Sequence, residues 1–396
     1  MHVHPRRSSI AIVLLAALAC ALPAAAGAGL LDPPEKADLI TTGNGSELLE
    51  SVPISTAPGL EERVVMSLGP EELPRFEAGD RLRVGAEVQV STTCIEEGPR
   101  CVGRRYDFNP RVYARVELAA EPSTEATALG LSETKQVKCA QRRPDRNHHC
   151  TIALPNTETV ISELASLPCA ANACYANVIL GAYHRRAKPD NLVVLGADRP
   201  DGTVVQDKGR LNVIHARAEV PAPTDASSNF LINPDLPLTE GKKVKRRVVF
   251  TVEVPPPKKG EVLAIDGNYL ASIRRLPFNT FIGSRLIVAE SPVATESTEL
   301  ARSATILGGD ASEANGFNCT QGPSGYRTPC EIAKTGAIRI TRDVVDEAGN
   351  PVPLYINLVS SAKALLTDKV KPKHRVQLTS QGGLRVTRFT PSGLTP

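Results

Sequence analysis

Residues 81–90 read Arg-Leu-Arg-Val-Gly-Ala-Glu-Val-Gln-Val. Leu82, Val84, Ala86, Val88 and Val90 fall on one parity, and Arg81, Arg83, Glu87 and Gln89 on the other. Side chains of an extended chain alternate between its two faces, so this spacing predicts a half-buried β-strand. Val248, Phe250, Val252 and Val254 repeat the pattern farther on. Further strand candidates are Arg111–Ala119 and residues 175–180, 192–195 and 211–217. Residues 282–289, 337–342, 355–359, 375–378 and 384–389 complete the set. The Asp198-Arg-Pro-Asp-Gly and Asp346-Glu-Ala-Gly-Asn-Pro runs have the composition of hairpin loops. Helical patterning is confined to residues 157–167 and 361–367.

The chain also matches itself. Arg104, Arg105, Phe108, Asn109, Arg115 and Ala119 recur as Arg274, Arg275, Phe278, Asn279, Arg285 and Ala289. That is six identities in sixteen positions, against about one by chance. A second block matches at a spacing ten residues longer. Cys139, Gln141, Cys150, Ile152 and Ala153 correspond to Cys319, Gln321, Cys330, Ile332 and Ala333, and Tyr175 and Asn177 to Tyr355 and Asn357. The order is collinear and the period is that of a whole domain, so we read a tandem duplication. Many short alternating strands with Pro, Gly and Asp between them predict an all-β chain of two tandem antiparallel β-sandwich domains, jelly-roll or immunoglobulin-like. The expected boundaries are 29–58 for a lead segment, 59–218 for domain 1, 219–235 for a linker and 236–396 for domain 2.

Residues 1–28 read as a secretory signal. Arg6 and Arg7 precede an apolar run of 13 residues at 10–22, and small residues follow Pro23. The run is shorter than the ~20 residues that span a bilayer, and no other segment approaches that length. Lipoprotein processing at Cys20 is the alternative, although Ala17 makes its motif a poor match. The expected location is therefore secreted or cell-envelope associated.

Eight of the nine cysteines lie beyond this segment, an even number that suits disulfides in an oxidising compartment. They fall into close couples, which predicts Cys94–Cys101, Cys139–Cys150, Cys169–Cys174 and Cys319–Cys330. A metal site using His148 and His149 beside Cys150 is the competing reading, but no common zinc spacing is present. We expect no metal and no cofactor.

The 396 residues carry a formal charge of +3 and are 41% hydrophobic, a balance that excludes wholesale disorder and a dedicated nucleic-acid binder. The charge is uneven, with fourteen acids against six bases over residues 27–100 and a basic excess afterwards. The densest basic run is Lys242-Lys243-Val244-Lys245-Arg246-Arg247, which suits either an acidic polymer or a solvated strand edge. There is no GxSxG, HExxH or phosphate-cradling glycine loop. The absence of tryptophan counts against an ordinary carbohydrate-binding module. No motif ties the chain to a known family.

The recurring Arg104, Arg105, Asn109, Arg274, Arg275 and Asn279 are the candidate binding residues, because paired guanidinium groups suit carboxylates and phosphates. The competing reading is a structural corner with solvated arginines. The expectation is a non-enzymatic binding or structural protein, its partner an anionic glycan or cell-envelope polymer. A secreted polysaccharide hydrolase and an adhesin-like or filament subunit are the alternatives.

Overall fold

The alternation becomes antiparallel sheet almost everywhere. The computed structural model describes residues 37–41, 51–94, 110–124, 127–139, 148–170, 173–195, 197–198, 204–205, 209–218, 223–239, 245–272, 280–289, 315–319, 330–364, 370–371 and 373–389. All lie within the unit Lys36–Pro396. Among them the one helical element is a short 3-10 turn, Leu164–Ser166, and no helix is long and apolar enough to cross a membrane.

The first half holds β1 (Ala37–Thr41), β2 (Ser51–Ser55), β3 (Arg63–Leu68), β4 (Arg81–Cys94), β5 (Arg111–Ala119), β6 (Ala128–Gly130) and β7 (Lys135–Lys138). It continues with β8 (His148–Val160), β9 (Tyr175–Tyr183), β10 (Asn191–Leu195), β11 (Ala197–Asp198), β12 (Val204–Val205) and β13 (Gly209–Ala216). The second half holds β14 (Thr224–Ser228), β15 (Asp235–Thr239), β16 (Arg246–Val254), β17 (Val262–Ser272) and β18 (Thr280–Ala289). After these come β19 (Asn315–Cys319), β20 (Cys330–Arg339), β21 (Leu354–Ala364) and β22 (Arg375–Phe389).

In the first half β4 lies between β8 on one side and β10 and β13 on the other, while β9 lies between β5 and β3. Strand β2 joins the two groups. Residues 51–53 pair antiparallel with β10, and Ile54 and Ser55 pair parallel with β9. Pro53 stands at the changeover, where a residue without an N–H can leave one ladder without orphaning a donor. The second half repeats the scheme. There β17 lies between β20 and β22, and β21 between β18 and β16. Strand β15 pairs antiparallel with β22 and parallel with β21, with Pro237 at its changeover. Where the first half uses β10 and β13, the second uses β22 alone; the β11–β12 pair falls in the interruption. Each half thus encloses its own apolar core in a sandwich-like arrangement.

Registers coincide as well. Arg115 faces Ile179 and Glu117 faces Asn177; Arg285 faces Val359 and Ile287 faces Asn357. Ser67 Oγ donates to Asn177 Oδ1 at 2.7 Å, and Thr251 Oγ1 donates to Asn357 Oδ1. Strands β3 and β16 both slip register after a valine, between Val64 and Met66 and between Val248 and Phe250.

Several sequence expectations need correction. By pairing, the counterpart of β4 is β17; the run from Val248 to Val254 corresponds instead to β3. Residues 157–160 continue β8 and residues 361–364 continue β21; of the helical turn expected over 157–167, the 3-10 turn Leu164–Ser166 is present. Strands β1 and β2 lie in the expected lead segment, and β14 lies in the expected linker. Nor is β4 half-buried. Arg83, Glu87 and Gln89 are only 5%, 1% and 3% exposed, because the second half covers that face too. Ile214 and Ala216 meet Val262, Ala264 and Phe389 in an apolar seam between the halves.

Candidate functional site

The six expected binding residues, Arg104, Arg105, Asn109, Arg274, Arg275 and Asn279, lie outside the described residues. Their segments lead directly into β5 and β18, which pair alike with β9 and β21. Cys139–Cys150 and Cys169–Cys174 form as expected, with Cα separations of 5.6 and 5.3 Å. Cys330 is also disulfide-bonded. Cys101 and the side chains of Cys94 and Cys319 fall outside the described set. Among the described residues no three His, Cys, Asp or Glu side chains are grouped to hold a metal ion.

Buried charge concentrates first where β4 and β17 begin. Gly79 and Gly260 both adopt positive φ, 89° and 90°, in the left-handed region that glycine enters at little cost. The amide of each donates across to a carbonyl, Ile161 O or Ile340 O. The acid that follows is buried in both cases. Asp80 accepts from the Glu77 amide and stands 2.7 Å from His215 Nε2 and 3.1 Å from Arg217 Nη1. Glu261 accepts from the Lys258 amide and takes two bonds from Arg388, 2.8 Å from Nε and 2.7 Å from Nη2. His215 faces Leu82 in its ladder and Arg388 faces Leu263, so each acid meets a base at the equivalent place. The turn-acid-x-Leu pattern was available in the sequence; the base arrives from the last strand of each half and carries no local signal.

The second concentration spans the seam. Strand β8 has two residues, Pro155 and Asn156, where β4 has only Gly85, a bulge that turns Asn156 toward the second half. A Cβ on Gly85 would stand 2.5 Å from Asn156 Oδ1, so the bulge needs glycine opposite it. Asn156 donates to Asp266 from its backbone N and its Nδ2, each at 3.0 Å, and Nδ2 also donates to Thr335 Oγ1. Thr335 Oγ1 donates to Asp266 at 2.9 Å. Burial pushes the Asp266 carboxyl above its ordinary value, although these donors and the Arg83 charge pull against it. Burial likewise draws the Arg83 guanidinium down, and it stands 5.9 Å over the Phe389 ring. Lys334 Nζ donates to Glu87 Oε1 at 3.0 Å. At the margin Asp225 takes Thr387 Oγ1 at 2.5 Å and pairs with Arg385. Its partial burial favours the neutral acid, but these bonds outweigh it and hold the carboxyl below its usual range.

A raised carboxyl in a polar cluster has the makings of a general acid. The three bonds from Asn156 and Thr335 all fall on Asp266 Oδ1, and they tie β8 of the first half to β17 and β20 of the second. None of its members stood out in the sequence, because Arg83 and Glu87 alternate like solvent-facing residues.

A third group is open to solvent. Tyr183, Arg111 and Lys138 sit opposite one another across β9, β5 and β7, hence on one face of the sheet. Arg111 and Lys138 are exposed and Tyr183 is half-buried.

No protein-family model matches the chain, and no curated protein matches its sequence. Among solved structures it is similar to infectious bursal disease virus, Gx strain, at 8% identity and a TM-score of 0.23, covering 91% of this chain and 72% of that one. It is similar also to PNGase F, a glycosylasparaginase from Flavobacterium meningosepticum, at 6% identity and a TM-score of 0.21, covering 90% and 96%. A tandem CBM22 domain from Paenibacillus barcinonensis gives 10% identity and a TM-score of 0.19, covering 90% and 91%. At these TM-scores no argument about this chain rests on any of the three.

Proposed function

We propose that the chain is an exported, disulfide-bonded, non-enzymatic protein of two duplicated β-sandwich domains, which binds an anionic glycan or cell-envelope polymer. Duplication is supported by the coincident registers of β5 with β9 and β18 with β21, at the spacings of the sequence matches. The observation that carries the non-enzymatic reading is the use made of buried acids. Asp80, Glu261, Glu87 and Asp266 are each engaged by a base or by hydrogen-bond donors that close a turn or the seam. Such acids hold the architecture together and are not presented to a substrate. Export is supported by the disulfides and by the signal-like segment 1–28.

The test is expression of the full chain in a host with an export pathway. The expected result is an exported protein lacking residues 1–28, its thiols oxidised, that retains acidic polysaccharide without releasing new reducing ends. Reduced protein confined to the cytoplasm, or release of sugar ends from a polysaccharide panel, would overturn the proposal.

A further inference from the structure

We infer that the outer face of the β9–β5–β7 sheet, centred on Tyr183, Arg111 and Lys138, binds a carboxylate-bearing polysaccharide. The inference rests on the binding reading above and gives it a place and a ligand class. Directly opposed residues of adjacent strands project to the same side, so the three side chains form a row. The row covers two inter-strand steps, about 10 Å, which suits a short run of sugar rings.

Its floor is aromatic. Tyr113 lies in the next row, buried against Gly181, where any side chain would collide with its ring. Its hydroxyl accepts the Gly59 amide at 2.8 Å. Tyr183 tilts against it with ring centroids 6.3 Å apart. Above, the Arg111 guanidinium stands 6.0 Å from the Tyr183 ring centre and donates to its hydroxyl at 3.2 Å. A fixed ring beside a guanidinium fork offers an apolar plate for a sugar face and a paired donor for a carboxylate.

The cations continue past Tyr183. The chain turns at residues 184–187, closed by the Ala187 amide on His184 O, and the Arg186 amide donates to His184 Nδ1 at 3.2 Å. Arg185 and Arg186 are left exposed. Burial, and then the charges of these two arginines, keep the His184 imidazole below its ordinary value.

Neighbouring bases on the same sheet are neutralised where they stand. Arg115 is bracketed by Glu62 at 2.9 Å and Glu117 at 2.5 Å, and Lys135 pairs with Glu331 at 2.6 Å. Among the described residues no carboxylate lies within ion-pair reach of Arg111, Lys138, Arg185 or Arg186. The second half does not repeat the arginine–tyrosine pair. In the second half the ladder position of Arg111 and Tyr183 holds Phe281 and Lys363, and Val248, Ile287 and Val359 make the adjacent face apolar.

The experiment titrates the mature protein with polygalacturonate, with a neutral polysaccharide of matched length, and with single-stranded DNA. The expected result is salt-sensitive binding of polygalacturonate alone. Affinity should fall by about tenfold or more in Arg111→Ala/Lys138→Ala and in Arg185→Ala/Arg186→Ala. Tyr183→Ala should weaken it and Tyr183→Phe largely restore it. A Lys371→Ala/Lys373→Ala control in the second half should match the parent, and thermal melts check that every variant folds. Equal binding by both double variants overturns the assigned surface while leaving the binding reading intact. Equal binding of the neutral polymer or of DNA overturns carboxylate recognition. An exported, folded protein that binds no polymer overturns both, and cleavage of the polymer overturns the non-enzymatic reading.

Discussion

Glu87 and Lys334 stand 247 residues apart in the chain and meet in an ion pair of 3.0 Å, each side chain 1% exposed. One comes from the middle of β4, the other from β20, so the pair ties the first half to the second. Among the described residues Glu87 Oε2 has no hydrogen-bond partner, so the carboxylate relies chiefly on Lys334.

Removing one partner strands the other in a low-dielectric seam. Glu87→Ala and Lys334→Ala should each cost about 3–5 kcal/mol by denaturant unfolding. Glu87→Leu combined with Lys334→Met should cost less than either, since two apolar groups leave no charge to desolvate. Two equally mild single variants would show that water reaches the pair.

Asp80 and Glu77 offer a contrast within one turn. Both reach Arg217, but Asp80 is buried on His215 while the Glu77 side chain is 66% exposed. Asp80→Ala orphans the buried imidazole and the Glu77 amide, and should cost about 2–3 kcal/mol. Glu77→Ala should stay within about 0.5 kcal/mol, the usual worth of an exposed ion pair. Similar midpoints for the two variants in urea would remove Asp80 from its proposed place as the lock of this strand.

How far the sequence discloses this arrangement depends on where the two halves are identical. Arg115, Cys150 and Asn177 match Arg285, Cys330 and Asn357 in type, so the collinear spacings stood out. The strand pairs β2 with β15 and β3 with β16 share scattered identities, Pro53 with Pro237 and Arg63, Val64 and Val65 with Arg247, Val248 and Val249. Val52-Pro53-Ile54 answers Leu236-Pro237-Leu238, and Val64-Val65-Met66 answers Val248-Val249-Phe250. They share a spacing that differs from both of the others, so they fall outside the two matched blocks. The seam was invisible for another reason. A period of two marks which residues share a face, and cannot say whether a polar face meets water or a second layer. Tyr183, Arg111 and Lys138 were scattered over three strands, and only pairing puts them in a row.

Cys139–Cys150 and Cys169–Cys174 close loops of different size, with sequence separations of 11 and 5. Chain-entropy reasoning gives about 3 kcal/mol for Cys139–Cys150 and about 2 kcal/mol for Cys169–Cys174. Cys139→Ala/Cys150→Ala should therefore lower the melting temperature more than Cys169→Ala/Cys174→Ala. The reverse order in calorimetry would mean that the bonds act through native contacts more than through the unfolded chain.

Asp266 should leave a signature in the pH dependence of stability. Burial raises its folded value above the 3.8 of an unfolded aspartate. Between 3.8 and that raised value the native protein holds a proton that the unfolded chain has released. Stability from this group is therefore greatest at low pH and is lost as pH rises through the folded value. Asp266→Asn keeps an acceptor for the Asn156 amide and cannot ionise, so it lacks this loss. Unfolding free energies of parent and variant, measured from pH 4 upward, should move in the variant's favour as pH rises and then level off. Subtracting one curve from the other cancels the remaining carboxylates. A difference that stays flat across the range would show that Asp266 is charged throughout, its desolvation fully compensated by Asn156, Thr335 and Arg83.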